Sequence, residues 1–192
     1  SEAQELVKKA LNVPSGYTVL FLQGGASLGF TIAALNMMRD NKKAGYINTG
    51  TWAKGAIAEG KAVGVDTNIL ASSEDKNFNY IPKNFNIADD LDYVHFTSNN
   101  TIFGTQFQSI IDTDRPLVCD MSSDIFSKPV DVSKFDLIYA GAQKNLGPAG
   151  STLYIVKNEI LGKSSSPFMP KYMDLKNHVD KGSMLNTPPV FS

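Results

Sequence analysis

Asp136-Leu137-Ile138-Tyr139-Ala140-Gly141 is a short apolar run that opens into Ala142-Gln143-Lys144-Asn145-Leu146-Gly147-Pro148-Ala149-Gly150. Read as a strand ending in a glycine-bounded turn that carries a lysine, this stretch decides the fold. A second apolar run, Pro116-Leu117-Val118-Cys119, stops at Asp120. Residues 121–135 between them are long enough for a short crossover connecting parallel strands. The two runs thus put a carboxylate at one strand end and an amine just past the next. That pairing suits a cofactor needing an anion at one end and an amine at the other. Pyridoxal phosphate is one, with an Asp for its pyridinium nitrogen and a Lys for its Schiff base. A solvated aspartate and a surface lysine would leave the same local pattern.

Working outward, Thr18-Val19-Leu20-Phe21-Leu22 reads as a strand covered on both faces, as in a parallel sheet. Gln23-Gly24-Gly25-Ala26-Ser27-Leu28-Gly29-Phe30 follows and opens a helix running to about Met38. A glycine-rich strand-to-helix junction offers free N–H groups and a positive dipole end to a phosphate. A turn needed only for tight packing is the alternative. The spacing is not GxGxxG, and no acidic ribose partner follows, so a dinucleotide reading is poor. Ala44-Gly45-Tyr46-Ile47-Asn48 is a further strand, after which Thr49-Gly50-Thr51 is predicted to cap a helix ending near Val63. Trp52, in its first turn, either joins the core or stacks on a flat ring at the sheet edge.

Residues 65–71 and Tyr93-Val94-His95-Phe96-Thr97 read as strands. Between them residues 72–90 are polar and Asn-rich, with no chemistry to identify. His95, inside its strand, reads as structural. The polar loop Ser98 to Gly104 follows at a strand end, where α/β proteins gather ligands. Its Thr101 offers a hydroxyl to a ring substituent, or else caps the turn. Residues 151–156 are expected to run antiparallel at or near the sheet edge. The first residues, Glu2 to Leu11, form a polar helix closed by Pro14-Ser15-Gly16. Near the other end, Asn158 to Leu161 suggests a helical turn and Pro170 to Val179 a helix containing His178. The tail 183–192 is expected to be extended, because residues before proline avoid the helical region. One α/β domain, a mostly parallel mixed sheet flanked by helices, accounts for nearly the whole chain.

The 192 residues are 42% hydrophobic and 19% charged, ordinary for a globular domain. A net charge of −1 leaves no basic footprint for nucleic acid. The apolar runs are far below the ~20 residues that span a bilayer, and no signal peptide is expected before Ser1. Cys119 is the single cysteine, so no intrachain disulfide forms, in keeping with a reducing cytoplasm. With two histidines it gives no metal-ligand spacing, and no metal is expected.

Six motifs in order carry a family resemblance. They are Phe21-Leu22-Gln23-Gly24-Gly25-Ala26-Ser27, Asn48-Thr49-Gly50-Thr51-Trp52-Ala53-Lys54, Thr97-Ser98-Asn99-Asn100-Thr101-Ile102, Asp120-Met121-Ser122-Ser123-Asp124, Gly141-Ala142-Gln143-Lys144-Asn145 and Asn186-Thr187-Pro188-Pro189. Over almost its whole length the chain resembles the phosphoserine aminotransferases, class V members of fold-type I. The resemblance implies a large pyridoxal-phosphate-binding domain over 1–192, with 183–192 leading toward a small domain. It implies transfer of an amino group between L-glutamate and 3-phosphohydroxypyruvate in serine biosynthesis, in a cytoplasmic homodimer. Lys144 would hold the cofactor and move the proton, and Asp120 would keep the pyridine nitrogen protonated. Trp52 would stack on the ring and Thr101 would reach its phenolic oxygen. Ala26, Ser27 and Gln143 would hold the phosphate, with Asn186 and Thr187 reaching it from the neighbouring subunit.

Two departures stand out. The family usually carries Gln directly before the Phe of the glycine loop, where this chain has Gly29, a difference expected to touch packing. The family also carries His-Arg pairs, before the first helix and beyond Asn-Thr-Pro-Pro, that clamp substrate anions; this sequence has neither. It is therefore expected to be the cofactor half of the enzyme, cut at both ends. Arg39 and Arg115 match no substrate motif and are assigned to structure. A non-catalytic cofactor-binding fragment and another fold-type I enzyme are the alternatives. A desulfurase would need a mobile-loop cysteine, which Cys119 in its strand cannot supply.

Overall fold

Strand and helix patterns alternate through the first third of the chain, and the computed structural model, which describes residues 1–187, shows the corresponding elements. In chain order they begin with α1 (Glu2–Ala10), β1 (Tyr17–Leu22), α2 (Gly25–Met37), β2 (Lys43–Asn48), α3 (Thr51–Ala62) and β3 (Asp66–Ser72). Then come β4 (Tyr93–Thr97), the small pair β5 (Asn99–Asn100) and β6 (Thr105–Gln106), and β7 (Leu117–Asp120). β8 (Leu137–Gly141), β9 (Thr152–Lys157) and α4 (Leu175–Asp180) follow among the described residues.

Seven strands form one sheet in the order β1-β9-β8-β7-β4-β2-β3. β2 pairs in parallel with β3 and β4, β4 with β7, and β7 with β8. β9 alone is reversed, antiparallel to both β8 and β1. The antiparallel strand is thus one place in from the edge. The edge itself is β1, whose apolar run reads as a strand covered on both faces, as in a parallel sheet; its one pairing is antiparallel, to β9. The run is apolar because both its faces are covered, and coverage says nothing about how many neighbours a strand has.

Successive strand residues point to opposite faces. Leu20, Tyr46, Val118, Leu137, Tyr139 and Tyr154 pack with α2, α3 and α4 on one face. Val19, Ile47, Phe96, Cys119, Ile138 and Ile155 pack on the other with Val7 of α1 and the loop residues Ile125 and Phe135. α2 is apolar nearly all round and buried, and it crosses Tyr139 closely. A Cβ on Gly29 would lie 2.8 Å from Cδ2 of that ring, so glycine here serves helix-on-sheet packing.

The second half is less regular than its sequence suggests. Residues 121–135 cross over with turns and one short 3-10 segment at Val132–Lys134. The helix expected over 170–179 begins only at Leu175, because Asp174 caps it through the Lys176 N–H. The expected extended tail is a turn at its start: Ser183 has φ 71, and its N–H donates to the His178 carbonyl. Its remainder at 188–192 lies outside the described residues. Both arginines are structural, as expected: Arg39 donates to the Asn36 and Met38 carbonyls, and Arg115 to that of Asp89. Among the described residues, no helix is long and apolar enough to cross a membrane.

His95 is buried, with Nε2 2.7 Å from the Tyr139 hydroxyl. Burial lowers its pKa from 6.5 to about 3, so the native ring is neutral. The unfolded chain binds this proton below about pH 6.5, while the native state refuses it down to about 3. Stability therefore falls as pH drops through that window, by about 1.4 kcal/mol per unit from this group. Urea unfolding between roughly pH 5.5 and 4 is expected to show a slope shallower by about that amount in His95→Gln. Equal slopes in the two proteins would contradict the assignment.

Candidate active site

Five segments leave strand carboxyl ends and converge over one end of the sheet, those after β1, β2, β4, β7 and β8. They enclose a pocket of about 180 Å³ whose lining includes Ala26, Ser27, Trp52, Asp120, Gln143 and Lys144. Thr101 borders it through Lys144.

Asp120 ends β7 in register with Thr97 of β4 and Tyr139 of β8, on the sheet face covered by α2. It is 3% exposed. Its Oδ1 accepts from the Ser122 hydroxyl at 2.6 Å and the Ser122 N–H at 2.9 Å. The Ser122 Oγ in turn accepts from the Gly141 N–H at 2.9 Å. Burial pushes the Asp120 carboxyl above its usual range, against the opposing pull of the Ser122 donors and the Lys144 charge.

The Lys144 turn joins β8 to β9. The Ala142 N–H donates to the Ser151 carbonyl, and the Leu146 and Gly147 N–H groups return to the Ala142 carbonyl. The Asn145 amide ties the turn to the Ile125 carbonyl at 2.6 Å. From this base Lys144 Nζ donates to Thr101 Oγ1 at 2.6 Å and lies 5.2 Å from the centroid of the Trp52 ring. Trp52 itself is 36% exposed, so it is a wall of the pocket and not a core residue.

At the other end stands the N-terminus of α2. Gly24 and Gly25 enter it at φ 106 and 66, conformations that favour glycine. No side chain caps this end and no acidic residue occupies its first turn. The first N–H groups and the positive dipole end therefore stay available to an anion. Gln143 folds back beside them: a Cβ on Gly141 would lie 2.8 Å from Gln143 Oε1 and 3.4 Å from the Ala26 nitrogen. α3 is likewise uncapped by a side chain. Of the predicted triplet Thr49-Gly50-Thr51, Gly50 stands at the N-cap and Thr51 opens the helix, while Thr49 donates to Asn100 Oδ1 at 3.1 Å and fixes the loop after β4.

Asn186 and Thr187 are exposed and do not line this pocket. Asn186 borders a larger groove of about 810 Å³, with Leu6, Phe21, Tyr172 and His178 along it. That groove is mostly apolar and contains neither Asp120 nor Lys144, so the smaller pocket holds the chemistry. Two of its polar residues escaped the sequence reading. Thr97 Oγ1 is buried without a partner among the described residues, and Ser122 holds Asp120. A serine two places after a strand-ending aspartate was the available signal for the second.

A carboxylate, an amine, a flat indole, two hydroxyls and an N–H-rich helix end suit a flat ring with a phosphate, a carbonyl and a ring nitrogen. The whole chain, residues 1–192, matches the family described as Aminotransferase class-V. It is 56% identical over 194 residues to the phosphoserine aminotransferase of Porphyromonas gingivalis, covering 99% of this chain and 53% of that protein. Its fold superposes on phosphoserine aminotransferase from Bacillus circulans subsp. alkalophilus with TM-score 0.93 at 44% identity, covering 99% of this chain and 53% of that one. The PLP-bound phosphoserine aminotransferase of Trichomonas vaginalis gives 0.91 at 36% identity, with 99% and 54% covered. The chain spans about half the length of the relatives it matches. On its sequence and its fold alike, the chain belongs to the class-V aminotransferase family.

Proposed function

We propose that the protein takes part in pyridoxal-phosphate-dependent transamination, moving an amino group from L-glutamate to 3-phosphohydroxypyruvate to give 2-oxoglutarate and O-phospho-L-serine. The observation that carries the cofactor reading is the meeting of Asp120, Lys144, Thr101 and Trp52 beneath the open end of α2. Similarity to phosphoserine aminotransferases supports the substrates and a place in serine biosynthesis. Residues 1–192 would form the cofactor-binding domain.

When bound, pyridoxal phosphate supplies an electron sink for charge developing at the substrate Cα. The chain's own residues hold it and handle the proton. Lys144 would supply the attachment amine and, when free, would move a proton at the substrate Cα. Asp120 would hold the ring nitrogen protonated. Trp52 would lie against the ring, and the Thr101 hydroxyl would reach its phenolic oxygen. The Ala26 and Ser27 N–H groups, with the Gln143 amide, would hold the phosphate.

Asn186 and Thr187 lie away from their own chain's pocket, which supports their reaching the phosphate of a second copy in a homodimer. The cytoplasm is the proposed compartment, in keeping with the buried free thiol of Cys119. That burial, in a strand, also argues against a desulfurase.

Borohydride reduction of the cofactor-loaded protein, followed by peptide mapping, is expected to place the label on Lys144. Lys144→Ala should lose the visible absorbance band altogether; a label on another lysine would remove the reading. Asp120→Asn is expected to keep the cofactor bound but slow turnover of the loaded enzyme by about 10²–10³-fold, the usual cost of losing one preorganised electrostatic partner. Undiminished turnover would contradict the role given to Asp120.

A further inference from the structure

The Asp120-Met121-Ser122-Ser123-Asp124 stretch contains a hydroxyl whose hydrogen bonds have only one consistent direction. The Gly141 N–H can only donate, so at 2.9 Å it occupies a lone pair of Ser122 Oγ. The carboxylate can only accept while ionised, so the single Ser122 hydroxyl hydrogen lies on Asp120 Oδ1 at 2.6 Å. The Ser122 N–H adds a second donor to the same oxygen at 2.9 Å. Asp120 Oδ2 has no hydrogen-bond partner among the described residues, and the residue lines the pocket. The two carboxylate oxygens are thereby distinguished.

We propose that Ser122 is a positioning residue: it turns and holds the Asp120 carboxylate so that Oδ2 remains for the ring nitrogen of the cofactor. The inference rests on the pyridoxal phosphate reading above. Ser122 also links the two poles of the site. Its oxygen is held by Gly141, the last residue of β8, and the Lys144 turn starts from that same glycine. A shift of the turn would be felt at the carboxylate through one side chain. The electrostatics agree, since burial disfavours the ionised carboxylate and the Ser122 donors are the largest influences opposing it. The Lys144 charge assists less, and attachment of the amine to a cofactor alters that charge, whereas the Ser122 donors stay in place.

The test compares two ligands in two proteins, reading dissociation constants from the visible absorbance band. One ligand is pyridoxal phosphate; the other is its deaza analogue, in which C–H replaces the ring nitrogen. In Ser122→Ala the dissociation constant for pyridoxal phosphate is expected to rise about tenfold, the scale of one hydrogen bond to a charged group. For the deaza analogue, which offers Oδ2 no donor, the two proteins should agree within about twofold. The ¹⁵N shift of labelled cofactor should move toward the unprotonated value in the variant only. Equal losses with both ligands, or no loss with either, would overturn the proposal. If Ser122→Ala does not fold, Ser122→Cys keeps the side-chain shape at slightly larger size and weakens the donor, and should show the same selectivity in smaller measure. A wild-type protein that forms no band with pyridoxal phosphate would instead sink the underlying cofactor reading.

Discussion

Parallel pairing of β7 with β8 is the constraint on which the site depends. Val118, Cys119 and Asp120 lie in register with Leu137, Ile138 and Tyr139, so both strands open at the same sheet edge. Were one reversed, Asp120 and the Lys144 turn would be separated by roughly a strand length, ~3.3 Å for each residue. The reversed β9 then sits between β8 and β1, which sets β1 two strand spacings, about 10 Å, from β8. The helix after β1 must cross that gap to bring its N-terminus to the pocket. It does so by lying on β8, where Gly29 admits the Tyr139 ring and Gly141 leaves room beside the Ala26 nitrogen. Gly29 is thus a packing device that supports the N-terminal end of α2 from a distance.

Below the pocket the sheet carries a layer of large polar aromatics. Tyr46 shares a hydrogen with Tyr93 at 2.6 Å, and its ring lies beside that of His95. His95 stacks on Tyr139 with centroids 5.9 Å apart, and Tyr139 continues to Tyr154. Packed side chains of this size give the strand ends a stiff floor. The floor is also uncharged where it meets the site, because the buried His95 stays neutral at ordinary pH. No imidazolium competes there for Asp120, whose charge is left to the Ser122 donors and Lys144.

The strand ends were legible because strongly apolar runs stop at residues that cannot continue them, Asp120 and Gly141 above all. Lys144, Trp52 and the Ala26-Ser27 junction followed from those ends. What stayed hidden depends on tertiary neighbours. An apolar run reports coverage and not pairing, so β1 reads like a parallel-sheet strand while pairing antiparallel at the edge. Thr49 has the residue type of a cap, yet Asn100, 51 positions on, takes its hydroxyl. Ser122 acquires its directed hydroxyl only when Gly141 arrives from the next strand, and no local spacing announces that meeting. Asp174 has the residue type of a helix cap, and the helix starts after it at Leu175 and not at Pro170.

The distribution of positive charge shows what the pocket is built around. Arg39 and Arg115 are the only guanidiniums, and each lies just before a strand, β2 or β7, at the end of the sheet opposite the pocket. Both are committed to backbone carbonyls. A guanidinium is the side chain best shaped for the two-point grip that carboxylates and phosphates invite. Within the described residues, therefore, the pocket meets anions with helix N–H groups and a single lysine. Those donors match the demand of a phosphate-bearing ring cofactor, one anion and one attachment point. Lys144 is the one cationic side chain lining the pocket among the described residues, so a further anion beside it would have to be met by hydroxyls and backbone N–H groups.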